Sequence, residues 1–172
     1  MNIFDLLGSI FTEVGTPAPQ PGVPSSPLLT STPPPSSSKN LSDCHIKLRE
    51  AYPLVVAEFE ASHPGYTVKL DYTYRSPDLQ LELYKKGRTF VNGQWIVTDK
   101  SQVVTDLLKG HHNVYPAQAL DHYLVSGGQI LWESPLYTDL GNVWVQHGFV
   151  SGAVWKYHWL DKPHVQIAYS LI

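Results

Sequence analysis

The residues of this chain best suited to chemistry lie in two short stretches. Gly110-His111-His112-Asn113-Val114-Tyr115-Pro116-Ala117-Gln118-Ala119-Leu120-Asp121 puts imidazole ahead of a carboxylate across a Pro-containing turn, and Asp161-Lys162-Pro163-His164 adds a second carboxylate and imidazole near the C-terminus. Two imidazoles and one carboxylate, with a fourth place left for water, are the inventory of a catalytic rather than a structural zinc site. Zinc held in this way brings the pKa of a bound water to roughly 7 and polarises a carbonyl oxygen. A general base must then take the proton of the water and pass it to the leaving group. His111 and His112 compete for the first ligand place. Neighbours on an extended strand point in opposite directions, so only one of them can bind. Cys44 is the only cysteine, which excludes both a thiolate cage and an internal disulfide.

These groups need elements to position them. Residues 118–125 alternate apolar and polar side chains, the period of a strand, which sets Asp121 on one face with Ala119 and Tyr123. An inward carboxylate there is costly unless a cation or hydrogen bonds neutralise it. An apolar strand over residues 165–171 carries His164 at its start. Residues 67–73 alternate Val68, Leu70 and Tyr72 with Lys69, Asp71 and Thr73, a further strand that ends at Tyr74-Arg75. Ser76 then caps a helix with Pro77 in its first turn, Leu79, Leu83 and Tyr84 on its inner face and Gly87 as its stop. From the handover between strand and helix Arg75 can project into a cleft, where a guanidinium grips a carboxylate or carbonyl through two parallel hydrogen bonds. Taken alone, such an Arg reads as one partner of a surface salt bridge.

The remaining elements are supports. Ser42 or Asp43 can cap a helix through Ile46, Leu48, Tyr52, Val55, Val56 and Phe59, with Pro53 demanding a kink or restart and Pro64-Gly65 closing it. Asn92-Gly93 between β-prone pairs predicts a hairpin over residues 90–98. A short helix is expected over residues 99–109, ending at Gly110. Residues 137–147 form an amphipathic helix on Leu140, Val143 and Trp144, with His147 complementing its C-terminal dipole rather than binding metal. His158 reads as a pocket-wall or surface residue.

His112-Asn113, Pro116, Ala119 and Asp121 resemble the H-N-x-x-P-x-x-A-x-D signature of the zinc D-alanyl-D-alanine carboxypeptidase and L-alanyl-D-glutamate endopeptidase family, which includes many bacteriophage endolysins. Trp155 through His164 is similar to the family's W-x-x-x-x-D-x-P-H run, with one residue more between Trp and Asp. Tyr74-Arg75-Ser76, Gln80, Leu83-Tyr84 and Gly87-Arg88-Thr89 look like its Y-R-S-x-x-x-Q-x-x-L-Y-x-x-G-R-T block. The likeness runs from about residue 44 to the end. It implies His112, Asp121 and His164 as zinc ligands, Asp161 as the catalytic carboxylate, Arg75 as a substrate-binding and transition-state-stabilising residue, and Gln80 as its support in substrate binding. It also implies hydrolysis of peptidoglycan stem peptides, between L-Ala and D-Glu, with D-Ala-D-Ala carboxypeptidase activity or a non-catalytic wall-binding or structural virion protein as alternatives. Gly110, Ala117-Gln118 and Val165 depart from the family's Ser, Ser-Arg and Phe, and residues 90–109 are longer than the usual connection. These departures spare every ligand and fall where substrate contacts can change.

The 172 residues carry a net charge of −3, which gives no basic footprint for nucleic acid. Residues 2–14 place Ile3, Leu6, Leu7, Ile10, Phe11 and Val14 at helical spacing, a segment too short to hold a helix alone and therefore expected to dock, for instance on a virion or tail protein. Its lack of Lys and Arg disfavours a membrane surface. Residues 15–41 hold the Pro-rich tract in which eight of the fourteen prolines fall, a composition that cannot bury enough surface to order itself and reads as an extended linker. No secretory signal or membrane span is expected. The expected organisation is a docking segment over residues 1–14, a linker over 15–41 and an α+β zinc domain over 42–172, a small antiparallel sheet flanked by helices with the metal in its cleft. A phage-encoded protein that moves from host cytoplasm to cell wall, or travels in the virion, fits that organisation.

Overall fold

A computed structural model of the chain describes residues 36–156 and 160–168. The segment expected to dock, most of the Pro-rich tract, His158 and the end of the strand expected over residues 165–171 lie outside the described residues. Within the stretch expected as linker, Ser36–Ser38 run beside Arg75: Ser38 N donates to Tyr74 O at 2.9 Å, Thr73 N to Ser38 O at 2.8 Å and Ser76 N to Ser36 O at 2.6 Å.

The fold is α+β, built on an antiparallel sheet. Its strands are β1 (Tyr66–Leu70), β4 (Ala119–Ser126), β5 (Gln129–Ile130), β6 (Phe149–Ser151) and β7 (His164–Ile167), in the order β1-β4-β7-β6 with β5 also on β4. A separate hairpin, β2 (Arg88–Val91) and β3 (Gln94–Val97), turns at Asn92-Gly93. Both turn residues have positive φ, 50° and 85°, as the tight turn requires. The helices are α1 (Ile46–Ser62), α2 (Pro77–Lys85) and α3 (Tyr137–Gln146).

One face of the sheet is core. Leu120 and Leu124 of β4, Val165 and Ile167 of β7 and Val68 of β1 pack with Leu48, Val55 and Phe59 of α1 and Tyr137, Leu140 and Trp144 of α3. The α1 residues Leu48, Ala51, Val55 and Phe59 recur at three- and four-residue spacing, which turns one stripe of the helix inward. The alternate positions on the strands, Asp121 and Tyr123 on β4 and His164 on β7, face the other way, and that side carries the candidate site.

Several local expectations change. The cap of α1 is His45, whose Nδ1 accepts from Lys47 N at 3.3 Å, because Asp43 is occupied by Ser38 and by Tyr115, whose hydroxyl donates to it at 3.0 Å. The helix runs unbroken through Pro53. The buried residue of α2 is the polar Gln80, not Leu79, Leu83 or Tyr84. Residues 99–109 form only a single 3-10 turn, Lys100–Gln102. Their later carbonyls are taken by side chains instead: Arg88 Nη1 donates to Thr105 O at 2.9 Å and Gln80 Nε2 to Leu107 O at 2.6 Å. Strand β1 ends at Leu70, where Asp71 and Tyr72 together oppose Asp121. Asp71 N donates to Asp121 O at 2.8 Å and Asp121 N to Tyr72 O at 2.7 Å. Two residues facing one is the pattern of a bulge, a device that re-aims the side chains beside it.

Candidate metal centre

Asp121 and His164 are direct partners across the β4–β7 ladder, so their side chains leave the sheet on the same face. His112 comes from a 3-10 turn, His111–Asn113, rather than from the extended strand expected for it. Asn113 fixes that turn. Its Oδ1 accepts from Gly110 N at 2.7 Å and its Nδ2 donates to Arg75 O at 2.8 Å, while Arg75 N donates to His112 O at 2.9 Å. Of the two neighbouring histidines, His112 is the one that turns inward, 6% exposed, to meet Asp121 and His164.

The three side chains converge closely. His112 Nε2 lies 3.2 Å from Asp121 Oδ1 and 3.2 Å from His164 Nδ1, and His164 Nδ1 lies 3.3 Å from Asp121 Oδ1. A tetrahedral zinc with bonds of 2.0–2.1 Å separates its ligand atoms by about 3.3–3.4 Å. The observed triangle has that size.

The outer hydrogen bonds decide what these atoms offer. The Thr73 carbonyl can only accept, so His112 Nδ1, 2.6 Å away, carries a proton. Gln166 Oε1, 3.0 Å from His164 Nε2, accepts in the same way. In their neutral forms both rings therefore turn a lone pair toward the carboxylate oxygen, and three acceptors share one small space. Such a cluster repels itself unless a cation enters it. The protonation equilibria point the same way. Burial opposes ionisation of Asp121, yet the charge and hydrogen bond of His112, followed by those of His164, hold its carboxyl well below the usual range. Burial likewise opposes charge on His164, and the hydrogen bond and charge of Asp121 override it and raise the pKa. The donor set thus fits a divalent cation of the zinc type.

Asp161 sits beside this triangle. Its surface is exposed to solvent, with the carboxyl partly crowded by protein. That burial raises its pKa, opposed by the charges of His164, His112 and Arg75 and assisted by Asp121. The backbone of Asp161 is held at both of its polar groups: its N donates to Gly152 O at 3.1 Å and its O accepts from His164 N at 3.0 Å. Gly152 lies so close that a Cβ there would stand 2.2 Å from the Asp161 carbonyl oxygen. The Trp155 ring is 5.7 Å from the His164 ring, centroid to centroid.

Arg75 is not a surface ion-pair residue. Its Nη1 donates to Gln80 Oε1 at 3.1 Å, its Nη2 lies 3.4 Å from Asp121 Oδ2, and its buried Nε has no hydrogen-bond partner among the described residues. Gln80, 3% exposed, is in turn anchored on Leu107 O. The Tyr72 ring packs 5.5 Å from the guanidinium carbon. Sequence reasoning had no sign of the Thr73 carbonyl or of Gly152, because both act through backbone. Gln166 gave a weak signal as a polar residue two positions beyond a ligand on a strand, and therefore on its face.

Together, the antiparallel sheet backed by helices, with a His–Asp–His triangle on its open face, defines an α+β fold carrying a group that could hold a metal ion. A solved structure of the Serratia marcescens L-Ala D-Glu endopeptidase ChiX has this fold: it matches with a TM-score of 0.50 at 18% sequence identity, over 76% of this chain and 85% of that one. At that identity the likeness is one of fold. No protein-family model matches the chain, and no curated protein matches its sequence significantly. No helix among the described residues is long and apolar enough to cross a membrane.

Proposed function

We propose that this chain is a zinc-dependent peptidase of bacterial peptidoglycan that cleaves the bond between L-Ala and D-Glu in the stem peptide. The observation that carries the reading is the triangle of His112 Nε2, Asp121 Oδ1 and His164 Nδ1, with edges of 3.2–3.3 Å and lone pairs set by Thr73 and Gln166. The shared fold with an L-Ala D-Glu endopeptidase supports the choice of substrate.

His112, Asp121 and His164 would hold the ion. Bound there, zinc supplies a Lewis acid and a water acidic enough to lose its proton near neutral pH. Asp161 would hold the proton of the attacking water on its carboxylate and return it to the leaving amine, and its raised pKa makes it a stronger base than an ordinary Asp. Arg75 directs Nη2 into the site, where it can bind a carbonyl or carboxylate oxygen of substrate as charge develops on it. Gln80 keeps the guanidinium from swinging away. In the same proposal residues 42–172 are the catalytic domain, residues 15–41 tether it, and residues 2–14 dock it to a virion or tail protein of the phage that encodes it.

Digestion of purified peptidoglycan, followed by identification of the new amino terminus, tests the reading. A new D-glutamate amine that depends on zinc is expected. Release of D-alanine without that amine would make the chain a D-Ala-D-Ala carboxypeptidase. Wall binding with neither product would make it a non-catalytic binding or virion protein.

A further inference from the structure

The open face of β4 continues past Asp121 to Tyr123, two residues on and on the same side, paired across the ladder with Lys69. Trp132, just beyond β5, lies with its ring 5.6 Å from the Tyr123 ring at 44°, and the residue is 47% exposed. Backbone pairing holds it there, since Leu131 N donates to Leu124 O at 2.9 Å. Glu133, next to Trp132, bonds Lys162, next to Asp161, so the aromatic pair is tied to the loop that bears the proposed base. Tyr123, Trp132, Glu133 and Lys162 take part neither in the core nor in the metal triangle.

We propose that Tyr123 and Trp132 form a platform for a pyranose ring of the glycan strand to which the stem peptide is attached. This rests on the peptidase reading above and names a subsite of it. A hexopyranose has apolar C–H faces and a rim of hydroxyl and amide groups. An open aromatic surface edged by Lys162 and Glu133 offers the complement, whereas an apolar side chain would call for an enclosed pocket. The span agrees. Two strand residues separate Tyr123 from Asp121 by about 7 Å, and one alanyl residue plus the lactyl group that joins it to muramic acid also reach about 7 Å from bond to sugar. With the scissile carbonyl at the metal triangle, the muramic acid ring falls on the platform. Cleavage then favours stem peptides still on their glycan.

The test compares two substrates with the full-length, zinc-loaded protein: a GlcNAc–MurNAc disaccharide peptide, and the same peptide without its sugars. The parent should show a KM for the disaccharide peptide lower by roughly tenfold, the effect of one or two aromatic contacts. Trp132→Ala should raise that KM to the value for the bare peptide while leaving kcat and all constants for the bare peptide unchanged. Equal KM values in the parent, or equal losses on both substrates in the variant, would overturn the platform. Should the parent cleave neither substrate, the peptidase reading itself fails, and the platform is then judged by titrating the GlcNAc–MurNAc disaccharide alone. Movement of the indole N–H resonance that disappears in Trp132→Phe upholds it, and an unmoved resonance refutes it.

Discussion

Substitution of Gly152 by Ala tests whether the position of Asp161, and not only its presence, matters. The added Cβ would lie 2.2 Å from the Asp161 carbonyl oxygen and 3.0 Å from its carbonyl carbon and its Cβ. Backbone sits on both sides of the contact, so no side chain can swing away. Relief requires the Asp161 segment to retreat by about 1 Å, and a displacement of that size at a reacting group costs about a hundredfold in rate. Overpacking of this kind also costs about 1–3 kcal/mol of stability, which a thermal melt would register as a modest fall in Tm. The assay is kcat/KM on a disaccharide peptide, measured beside zinc content and the melt. Gly110→Ala serves as the size-matched control. Its Cβ would meet only Leu107 Cδ1 at 3.6 Å, an ordinary contact, and its φ of −143° suits any residue. The expected result is a hundredfold loss in Gly152→Ala with zinc retained, and parental activity in Gly110→Ala. Full activity in Gly152→Ala would refute the positional argument. Loss of zinc in step with rate would refute it too, by tracing the defect to His164, whose N–H is held by the same carbonyl.

Other outcomes follow from the same geometry. Arg75→Lys keeps the charge but loses the planar fork that reaches Gln80 and Asp121 together. Its kcat should fall about 10²- to 10³-fold with zinc content unchanged, as for the loss of one oxyanion donor. Asp161→Asn should abolish turnover yet raise the Tm of the metal-free protein at neutral pH. Burial raises the folded-state pKa of Asp161 above 3.8, so the folded chain holds that proton more tightly, and stability declines as pH rises through this range to a cost that persists above it. His122 behaves oppositely. Burial, partly offset by the charge of Asp121, lowers its pKa from 6.5 to about 4. Its contribution is complete above pH 6.5 and is lost as pH falls toward 4, about 3 kcal/mol in all. His122→Phe should flatten that slope in denaturant melts at pH 7.5, 5.5 and 4.5, because the ring already stacks on Trp144 and its Nδ1 has no partner among the described residues to lose.

The candidate ligands were picked out by the family resemblance, which alone chose His112 over His111, and the strand pattern agrees with it: Asp121 and His164 each sit one step out of phase with the apolar positions that form the core. The place of Arg75 between a strand and a capped helix allowed a cleft position but left a surface salt bridge the better reading, and only the likeness of Tyr74-Arg75-Ser76 to the family block singled it out; Ser76 does accept from Leu79 N at 3.2 Å. The turn at Asn92-Gly93 was fixed by its two residues alone. What periodicity could not show was competition for backbone groups. Residues 99–109 have helical spacing, but Arg88 captures the Thr105 carbonyl that a helix would use, and Gln80 holds Leu107 O beyond it. The inward turn of Gln80 is the other half of that exchange, since a polar side chain gains burial only when something distant satisfies it. Likewise Asp43 had the right type to cap α1 and was already engaged by Ser38 and Tyr115.

The same logic explains why the triangle forms at all. Two of its corners are a matched pair in the β4–β7 register, and a one-residue slip of either strand would send Asp121 or His164 to the opposite face. That slip is opposed by Leu120 and Val165, themselves a matched pair, 0% exposed between α1 and α3. Moving them outward would place two apolar side chains in solvent and two polar ones in the core, a combined penalty of several kcal/mol. Core burial therefore selects the register, and the register brings a carboxylate and an imidazole into contact that repels unless a cation is shared. His112 completes the cluster from a turn pinned by Asn113 and Thr73, so the third candidate ligand is positioned independently of the other two. Leu120→Ala should accordingly weaken zinc binding through register mobility, although Leu120 touches no ligand atom, whereas His112→Ala should weaken it with the sheet unchanged. Hydrogen exchange of the β4 and β7 amides separates the two: faster exchange in Leu120→Ala and parental exchange in His112→Ala are expected, and equal protection in both would break the link between core and site.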